Sequence, residues 1–502
     1  MSEDPDHANI LRILVATDCH LGYEEKDPIR GMDSFAAFEE VLLTAKKKEV
    51  DFVLLGGDLF HDNMPSRHTL YRAISILRKH CMSDEPVSFQ IISDSMHHFK
   101  PLGLVNYLDP NYSVGLTVFS IHGNHDDPTS DGHAKGPFLA ALDLLQAANL
   151  VNYFGRCKTT DAIEVNPVII QKGTTRLAMY GLGAMRDDRL NRMWNSKRVT
   201  FRKASDEAMD EDWFNMFVLH QNRDTGRGKK SCVHESMIPG WMDMVVWGHE
   251  HECKIWPVHS NVADFYIMQP GSTVATSLVE GEAVTKHCSL VEIRGNEFKT
   301  EKYPLRQVRD FVMKAISLSD IPDLEPGSPD VQAEVGKHLE TKMQEMLEDA
   351  KQLALQKPGE IEGQGFKLVD PDKPLLRLRV EHSDFPVLNA YKFGHNFIGK
   401  VANPSSLLLF HKQRAQAAKE EKTGNDASGT WGALTPPSHL LHFQVEDLLE
   451  SCLGSGTTKL QLFPEKKLGA ALGKYVNKGE AAAMETVVEE LLDSTKTRLK
   501  RE

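Results

Sequence analysis

The sequence predicts an α/β fold for most of this chain of 502 residues. Short runs of apolar and β-branched residues recur along the chain and are typical of buried strands. Helix-like segments lie between these runs, and five of the runs end in side chains that can bind a metal ion. Strands that alternate with helices form sheets that the helices cover. The runs are RILVATD, DFVLLGGD, LTVFSIHGN, FNMFVLHQN, MDMVVWGHE and DFYIMQPGS.

The segments between the strands carry apolar residues at helical spacing. Two of them, Ser66 to His80 and Pro137 to Asn149, predict helices with one apolar face each. Two interpretations of these faces stay open from the sequence. Each face packs against its own sheet, or part of it pairs with a second copy of the chain.

The chain is predicted to divide into a large α/β domain, a smaller α+β domain, a linker and a C-terminal helical segment. The strand pattern fades near residues 302–305, and a charged amphipathic helix, VQAEVGKHLETKMQEMLEDAKQLALQ, and a strand-like run, PLLRLRVEH, follow. The stretch EEKTGNDASGTWGALTPP has linker composition, and helix-like segments come after it. The expected boundaries are 1–305, 306–419, 420–438 and 439–502.

Charge and cysteine usage limit the partners and the compartment. The net charge of -13 argues against wholesale wrapping by nucleic acid or adhesion to an anionic membrane, so any polyanion has to be met locally. The densest basic run is Arg186 to Lys203, and Arg377 and Arg379 alternate on one strand; these groups either line a groove or face solvent. Seven scattered cysteines without a CxxC pair predict a reducing, intracellular compartment. No apolar run reaches the length of a membrane span.

The residues that could bind metal ions lie at the ends of the predicted strands. In open α/β sheets, ligands gather beyond the carboxyl ends of the strands, so these side chains are expected to converge on one crevice. The set is too large for one zinc ion and too rich in nitrogen for a calcium or magnesium cage. It therefore predicts two divalent ions that share a carboxylate, and Asp58 is the natural bridge. The residues are Asp18, His20, Asp58, Asn124, His125, His220, His249 and His251.

The ordered motifs D-x-H, GGD, GNHD, H and GHEH resemble those of the calcineurin-like metallophosphoesterase superfamily. That family implies a two-sheet α/β sandwich with helices on the outside and a dinuclear metal centre. Longer strings are similar to those of the eukaryotic meiotic recombination nucleases, the nuclease subunits of the double-strand-break repair complex. These strings are GGDLFHDNMPSR, FSIHGNHDDP, LHQNR, WGHEHEC, QPGSTVATSL, GEAVTKH and KVANP.

The resemblance assigns a role to each site residue. One ion would take Asp18, His20, Asp58 and His251, and the other would take Asp58, Asn124, His220 and His249. His125 would face the scissile phosphate as a catalytic residue. His61, the second predicted catalytic residue, would help to place duplex ends, unless it only supports a neighbouring residue of the site or lies at the surface. Asp126 would either orient His125 or accept a backbone N–H of its own loop.

The same resemblance implies a manganese-dependent DNA nuclease with two Mn²⁺ ions per chain, located in the nucleus. It would act as a 3′ to 5′ exonuclease on duplex ends and as an endonuclease on single strands, flaps and hairpins. Residues 306–419 would cap the active site and grip DNA, and residues 439–502 would bind the coiled coil of an SMC-like zinc-hook ATPase. The chain would form a homodimer through the two helices named above. Cys81 to Gly115 would contact a nibrin-type FHA/BRCT subunit, or would be a plain surface excursion.

Two other functions stay open. A phosphomonoesterase can share this scaffold, but the phosphatase motif GDxVDRG, with its phosphate-clamping arginine, is replaced by GGDLFHDN. A scaffold that tethers DNA ends, with a dispensable nuclease, is the second alternative.

Overall fold

A computed structural model describes residues 7–99, 103–128, 138–157, 162–204, 213–224, 231–322, 324–356 and 367–412. The described helices are α1 (Asp33–Lys47), α2 (Arg67–Cys81), α3 (Ser95–His98), α4 (Ala141–Ala147), α5 (Asp187–Asn195), α6 (Val331–Gln356) and α7 (Ala390–His395). The described strands are β1 (Leu11–Ala16), β2 (Phe52–Leu55), β3 (Gln90–Ile91), β4 (Thr117–Ser120), β5 (Asn152–Tyr153), β6 (Ile163–Val165), β7 (Val168–Lys172), β8 (Thr175–Leu182), β9 (Val199–Phe201), β10 (Phe214–His220), β11 (Met244–Gly248), β12 (Lys254–His259), β13 (Tyr266–Gln269), β14 (His287–Arg294), β15 (Glu297–Pro304), β16 (Phe311–Ser317), β17 (Leu375–Glu381) and β18 (Leu408–His411).

Two mixed sheets form the large domain. The six-stranded sheet has the order β15-β14-β1-β2-β4-β5, and the seven-stranded sheet has the order β12-β13-β11-β10-β8-β7-β3. Strands β1, β2, β4 and β5 run parallel to one another, as do β8, β10, β11 and β13. Strands β3, β7, β12, β14 and β15 each pair antiparallel with a neighbour. The predicted two-sheet α/β sandwich is confirmed.

The core follows from the alternation of side chains along each strand. In β1, Ile13 and Val15 point between the two sheets, where they join Met216 and Val246 of the opposite sheet. The intervening Leu14 points to the outer face, which helices α1, α2 and α4 cover. Burial on both faces explains why these strands are almost continuously apolar.

The two helices predicted by periodicity differ in outcome. Helix α2 agrees with its prediction, and the Ser66 side chain caps it by accepting the Thr69 N–H at 3.0 Å. Helix α4 is shorter than the predicted Pro137 to Asn149, so that range was wrong. The Asp143 carboxylate accepts the Ala140 N–H at 2.8 Å and fixes the start of the helix. Asn149 adopts a φ of 58°, which ends it.

The long connection from Cys81 to Gly115 adds an edge to the sandwich. Its described part contains β3, α3 and a short 3₁₀ turn, Asn106–Leu108. Strand β3 pairs with β7 and becomes the outer strand of the seven-stranded sheet. The connection is therefore partly built into the fold, and its partner stays a prediction.

A smaller α+β unit follows the sandwich. Strands β16, β17 and β18 form a parallel sheet, and α6 and α7 cover it over a core that includes Leu339, Met343 and Leu378. The chain separates into compact units at residues 1–420 and 421–502, and all described residues lie in the first. The predicted linker at 420–438 and the helical segment at 439–502 lie outside the described residues. No described helix has the length and apolarity needed to cross a membrane, and the six described cysteines are free thiols.

Candidate metal centre

The predicted metal ligands and the predicted catalytic residue His125 lie at the carboxyl ends of strands from both sheets. Asp18 and His20 follow β1, Asp58 follows β2, and Asn124 and His125 follow β4 in the six-stranded sheet. His220 ends β10, and His249 and His251 follow β11 in the seven-stranded sheet. The structure brings these residues into one cluster. Side-chain contacts of less than 4 Å link Asp18, His20, Asp58, His220 and His251. Asn124 contacts His249, which groups with Asp58 and His220, and the backbone N–H of His125 donates to Asp58.

The backbone of this cluster is held in an uncommon conformation. Asp18, His20, Asp58 and His249 have φ values of 52°, 47°, 50° and 80°, in the left-handed region that non-glycine residues rarely adopt. Hydrogen bonds between the loops support it, since the Asp18 N–H donates to Gly57 O and the His20 N–H donates to Asp58 O, both at 3.0 Å. Strain that is concentrated in this way is typical of functional sites.

Asp18, His20 and His251 form the first ligand group, with their ligand atoms within 4.8 Å of one another. The Nε2 atoms of His20 and His251 lie 3.2 Å apart, and His251 Nε2 lies 3.8 Å from Asp18 Oδ1. The three side chains therefore point to one position.

Asp58, His220 and His249 form the second ligand group. Asn124 lies beside it, with its Oδ1 atom 2.7 Å from His249 Nδ1. Asp58 Oδ2 lies 3.2 Å from His220 Nε2 and 3.9 Å from His20 Nε2, so this oxygen stands between the two groups.

Three buried atoms in the cluster make no hydrogen bond to any described residue outside it. They are Asp18 Oδ1, Asp58 Oδ2 and His220 Nε2. Buried polar atoms are rarely left without a partner, because each costs about 1–3 kcal/mol. Carboxylate oxygens and imidazole nitrogens are ligands for divalent transition metals, so the donor set fits two such ions with Asp58 between them.

The pKa values of the histidines reflect the concentrated charge. Burial would lower the pKa of His220, but Asp58 and Asp18 outweigh it and raise the pKa to about 10. Burial and the neighbouring His220 lower the pKa of His249 to about 3, and burial lowers that of His20 well below its ordinary value. Two carboxylates buried among imidazoles require positive charge, which divalent ions would supply while the histidines bind as neutral ligands.

His125 and His61 lie beside the cluster as a stacked pair. Their ring centroids are 4.9 Å apart at an interplanar angle of 21°. His125 Nδ1 lies 2.7 Å from the His61 carbonyl oxygen and donates a hydrogen bond to it. Nε2 is therefore the ring nitrogen that could contact a substrate. The His125 N–H donates to Asp58 Oδ1 at 2.8 Å, so the loop that carries His125 is fixed to the carboxylate between the two ligand groups.

Asp126 braces the loops instead of contacting the His125 ring. Its carboxylate accepts the N–H groups of Gly123 at 2.7 Å, Leu59 at 2.9 Å and Phe60 at 3.2 Å. Burial and the nearby Asp58 raise the pKa of Asp126 to about 7. Of the two interpretations from the sequence, the described contacts agree with the backbone-capping one.

Comparisons with known proteins agree with this geometry. Residues 11–253 match the calcineurin-like phosphoesterase family, and residues 298–475 match a family described as the Mre11 DNA-binding presumed domain. Relatives from Oryza sativa subsp. indica and Homo sapiens are 43% and 42% identical, over 99% of this chain and 68% of theirs. A relative from Arabidopsis thaliana is 42% identical over 99% of this chain and 66% of its own. All three are named double-strand break repair protein MRE11.

The chain belongs to the MRE11 family. The resemblance inferred from the motifs is thereby confirmed, as are the metallophosphoesterase fold and the assignment to an enzyme family that uses divalent metal ions. A hypothetical protein from Thermus thermophilus aligns at 9% identity and a TM-score of 0.29, over 59% of this chain and 100% of that chain. That similarity is too weak to support an argument.

Sequence reasoning missed the side chains that hold the ligands of this MRE11-family centre. Glu282 Oε1 lies 2.9 Å from His251 Nδ1, and Asn222 Oδ1 lies 3.0 Å from His249 Nε2. Asn222 in turn donates to Asp187 Oδ2 at 2.7 Å. Glu282 stands in the string GEAVTKH, and Asn222 in LHQNR, both of which carried the resemblance. The strings were therefore a signal, although they gave no role to either residue.

One more group of metal-capable side chains lies outside this centre. Asp224, Cys232 and His234 have ligand atoms within 4.8 Å of one another. Asp224 Oδ2 contacts His234 Nδ1 at 3.0 Å, whereas Cys232 Sγ lies 3.9 Å from Nε2 of the same ring. The two partners use opposite sides of the imidazole, which is the geometry of an ion pair and a thiol contact. We therefore do not count the group as a metal site.

Proposed function

We propose that this chain is a DNA nuclease of double-strand-break repair that hydrolyses phosphodiester bonds with two Mn²⁺ ions. The observation that carries the proposal is the pair of ligand groups that meet at Asp58, with buried ligand atoms that make no hydrogen bond to a described residue outside the cluster. The MRE11 names of the relatives, at 42–43% identity, support the substrate class. The proposed ligands are Asp18, His20, Asp58, Asn124, His220, His249 and His251.

The residues of the chain divide the chemistry between them. Two divalent ions, when bound, lower the pKa of a water and neutralise charge on the phosphoryl oxygens. As an imidazolium, His125 would keep its Nδ1 proton on the His61 carbonyl oxygen and direct its Nε2 proton to the substrate. It would donate that proton to a charged phosphoryl oxygen as a hydrogen bond, or transfer it to the leaving sugar oxygen and become neutral. His61 stacks against His125, keeps that ring in place and borders the path of the DNA end.

The finer activities belong to the same proposal. We expect 3′ to 5′ exonuclease action on duplex ends and endonuclease action on single strands, flaps and hairpins. The unit at 306–419 would grip DNA, and the match of residues 298–475 to the Mre11 DNA-binding presumed domain supports this. Most of the basic run from Arg186 to Lys203 is exposed, as a phosphate contact requires, although a solvated face has the same appearance.

The partners are proposals as well. An exposed apolar surface on the helical side supports a homodimer, since Tyr71 of α2 is 65% exposed and Leu144 of α4 is 53% exposed. Residues 439–502 would bind the SMC-like zinc-hook ATPase, and Cys81 to Gly115 would contact the nibrin-type subunit. The nucleus, in mitotic and meiotic cells, is the proposed location.

The function is tested with a labelled hairpin-ended duplex. The full chain is incubated with it in Mn²⁺, in Mg²⁺ and in chelator, beside His125→Asn and a control, His259→Asn, which alters an exposed histidine paired with Asp264. We expect Mn²⁺-dependent cleavage by the unaltered chain and the control, and none by His125→Asn, which still binds two ions.

Four outcomes would contradict parts of the proposal. Absence of metal-dependent cleavage of any DNA would overturn the nuclease, and turnover of a phosphomonoester in place of DNA would favour a phosphomonoesterase. Metal loss in His125→Asn would make His125 a ligand. Undiminished tethering of DNA ends by an inactive variant would favour the scaffold.

A further inference from the structure

The two nitrogens of the His251 ring face opposite environments. Nε2 faces the first ligand group, 3.2 Å from His20 Nε2 and 3.8 Å from Asp18 Oδ1. Nδ1 faces away from it, 2.9 Å from Glu282 Oε1 and 2.9 Å from Thr276 Oγ1. A carboxylate at Nδ1 holds the proton there and turns the Nε2 lone pair to the metal position.

Glu282 is fixed in turn by a short segment of backbone. Residues 275–282, ATSLVEGE, which we call the strap, fold around its carboxylate. Oε1 accepts the Thr276 N–H at 3.1 Å, and Oε2 accepts the Ser277 N–H at 2.8 Å. Glu282 is buried, so neither oxygen can turn to water. The orientation of His251 therefore depends on the conformation of the strap.

The strap contacts both domains. Three of its successive carbonyls accept hydrogen bonds from side chains. In the large domain, Arg30 donates to Ala275 O at 3.1 Å and Tyr23 donates to Thr276 O at 2.6 Å. In the second domain, Arg377 of β17 donates to Ser277 O at 3.4 Å. The buried Leu278 has a φ of 49° and packs in one cluster with Phe311, Leu375 and Ala402 of that domain.

We propose that Glu282 is a positioning residue for His251, and that the strap passes the docking of the second domain on to this metal ligand. The inference rests on the ligands proposed above. Glu282 does not touch substrate; it fixes the direction of one imidazole nitrogen. Arg377 and Leu278 hold the strap in the conformation that presents Glu282.

Metal binding without DNA tests the positioning role. The full chain is freed of metal with chelator and titrated with Mn²⁺ by calorimetry, and His251→Ala identifies the ion that depends on His251. We expect Glu282→Ala to lower the affinity for this ion about 10- to 100-fold and to leave the affinity for the other ion unchanged. Glu282→Gln should lose less affinity for this ion, because its amide oxygen can still accept a hydrogen bond from the His251 Nδ1–H.

A second buried glutamate–histidine pair provides the control. Glu39 Oε1 lies 2.8 Å from His80 Nε2 between α1 and α2, and both residues are buried. Glu39→Gln should lower the midpoint of thermal unfolding but keep both Mn²⁺ affinities, whereas Glu282→Ala should change the affinity for one ion. Equal effects of the two variants on metal affinity would overturn the positioning role.

Two arginines on one strand test the link to the second domain. Arg377→Ala removes the bond to the strap, and Arg379→Ala alters the same residue type two positions along β17 without a described bond to the strap. We expect a loss of about two- to tenfold in affinity for the His251-dependent ion in Arg377→Ala alone. Equal affinities of the two variants would refute the link.

The outcomes separate this inference from the proposed function. A wild-type chain that binds fewer than two ions contradicts the dinuclear centre and, with it, the role of Glu282. A wild-type chain that binds two ions, beside a Glu282→Ala variant that does so with equal affinity, contradicts the positioning role and leaves the nuclease proposal standing.

Discussion

At the scale of single residues, Gly57 is constrained both by its backbone conformation and by a close neighbour in the candidate metal centre. Its φ is 98°, and a Cβ atom at this position would lie 2.4 Å from His220 Nδ1 and 3.0 Å from the Gly123 nitrogen. A side chain is therefore excluded twice, by the backbone conformation and by the ligand beside it. The glycine directly before Asp58 is what allows β2 to end this close to β10.

We expect Gly57→Ala to destabilise the chain by about 2–5 kcal/mol and to impair Mn²⁺ binding, because conformational strain and overpacking add. Gly295→Ala is the matched control, since Gly295 has a φ of 57° and no atom within 4 Å of the added Cβ. It should cost only about 1–2 kcal/mol. Denaturant unfolding in chelator measures both costs, and equal values would show that the contact with His220 has no consequence.

Glu282 makes the stability of the metal-free chain depend on pH. Burial raises its pKa, but the hydrogen bond from His251 and the charge of Lys286 outweigh this and lower the pKa to about 2, against an ordinary value of 4.5. Because the folded pKa is the lower one, the carboxylate stabilises the fold above pH 4.5, and this contribution is lost as the pH falls towards 2.

We expect the stability difference between wild type and Glu282→Gln to be largest near neutral pH and to shrink in acid, because Gln does not titrate. Urea unfolding in chelator from about pH 7 to about pH 3 measures it. A difference that stays constant over this range would mean that Glu282 is not ionised in the metal-free fold.

The sequence predicted the residues that the structure brings together as candidate ligands, but not the residues that contact their outer nitrogens. Strand ends have a local sequence pattern, in which an apolar run is followed by Asp, His or Asn. Asp18 and His249 could therefore be predicted as site residues from the sequence alone. Glu282 and Asn222 act through contacts that exist only after distant loops meet. Asp126 had two plausible roles for the same reason.

At the scale of elements, strands were better predicted than helix limits. A buried strand has to be apolar along its length, whereas the ends of α4 depend on Asp143 and Asn149, single residues whose effect is set by local backbone geometry. The connection from Cys81 to Gly115 could not be predicted to supply β3, because a pairing of two residues at a sheet edge leaves no periodic pattern.

Arg309 joins the second domain to α1 and its preceding loop. Its Nε atom donates to Asp33 Oδ2 at 2.8 Å, and Nη2 donates to Ile29 O at 2.8 Å. Nη1 donates to Asp370 O at 2.7 Å and to Lys373 O at 3.0 Å. A planar fork of donors can reach all these oxygens at once, which a lysine ammonium cannot do.

Arg309→Lys is therefore expected to cost about 2–4 kcal/mol, because buried acceptors lose their donors. Arg12→Lys is the control, since Arg12 makes a partly exposed ion pair with Glu292 at 3.1 Å and should cost less than about 1 kcal/mol. Denaturant unfolding compares the two, and similar costs would show that the fork at Arg309 is replaceable.

At the scale of the whole molecule, α2 and α4 cover the same outer face of the six-stranded sheet yet leave large apolar side chains in solvent. Tyr71 and Leu144 are the members of this surface that lie within the helices. The sequence left open whether such faces pack on the sheet or on a second copy. The structure shows that one side of each helix packs on the sheet, and the exposed side chains lie on the other.

We expect Tyr71→Asp and Leu144→Asp to shift the chain from dimer to monomer, because a charge in an apolar interface is left without a partner. Leu355→Asp is the control, since Leu355 is 79% exposed on α6 of the second domain. Sedimentation velocity distinguishes the states. A monomeric wild type, or a dimer in all three variants, would contradict an interface at this surface.

The metal centre takes its ligands from both sheets, and His20 and His251 stand 231 positions apart in the chain. A nascent chain therefore cannot complete the centre until His251 has left the ribosome and the second sheet has closed on the first. Until then the proposed nuclease lacks a complete metal centre. Neither sheet alone carries the complete set of proposed ligands.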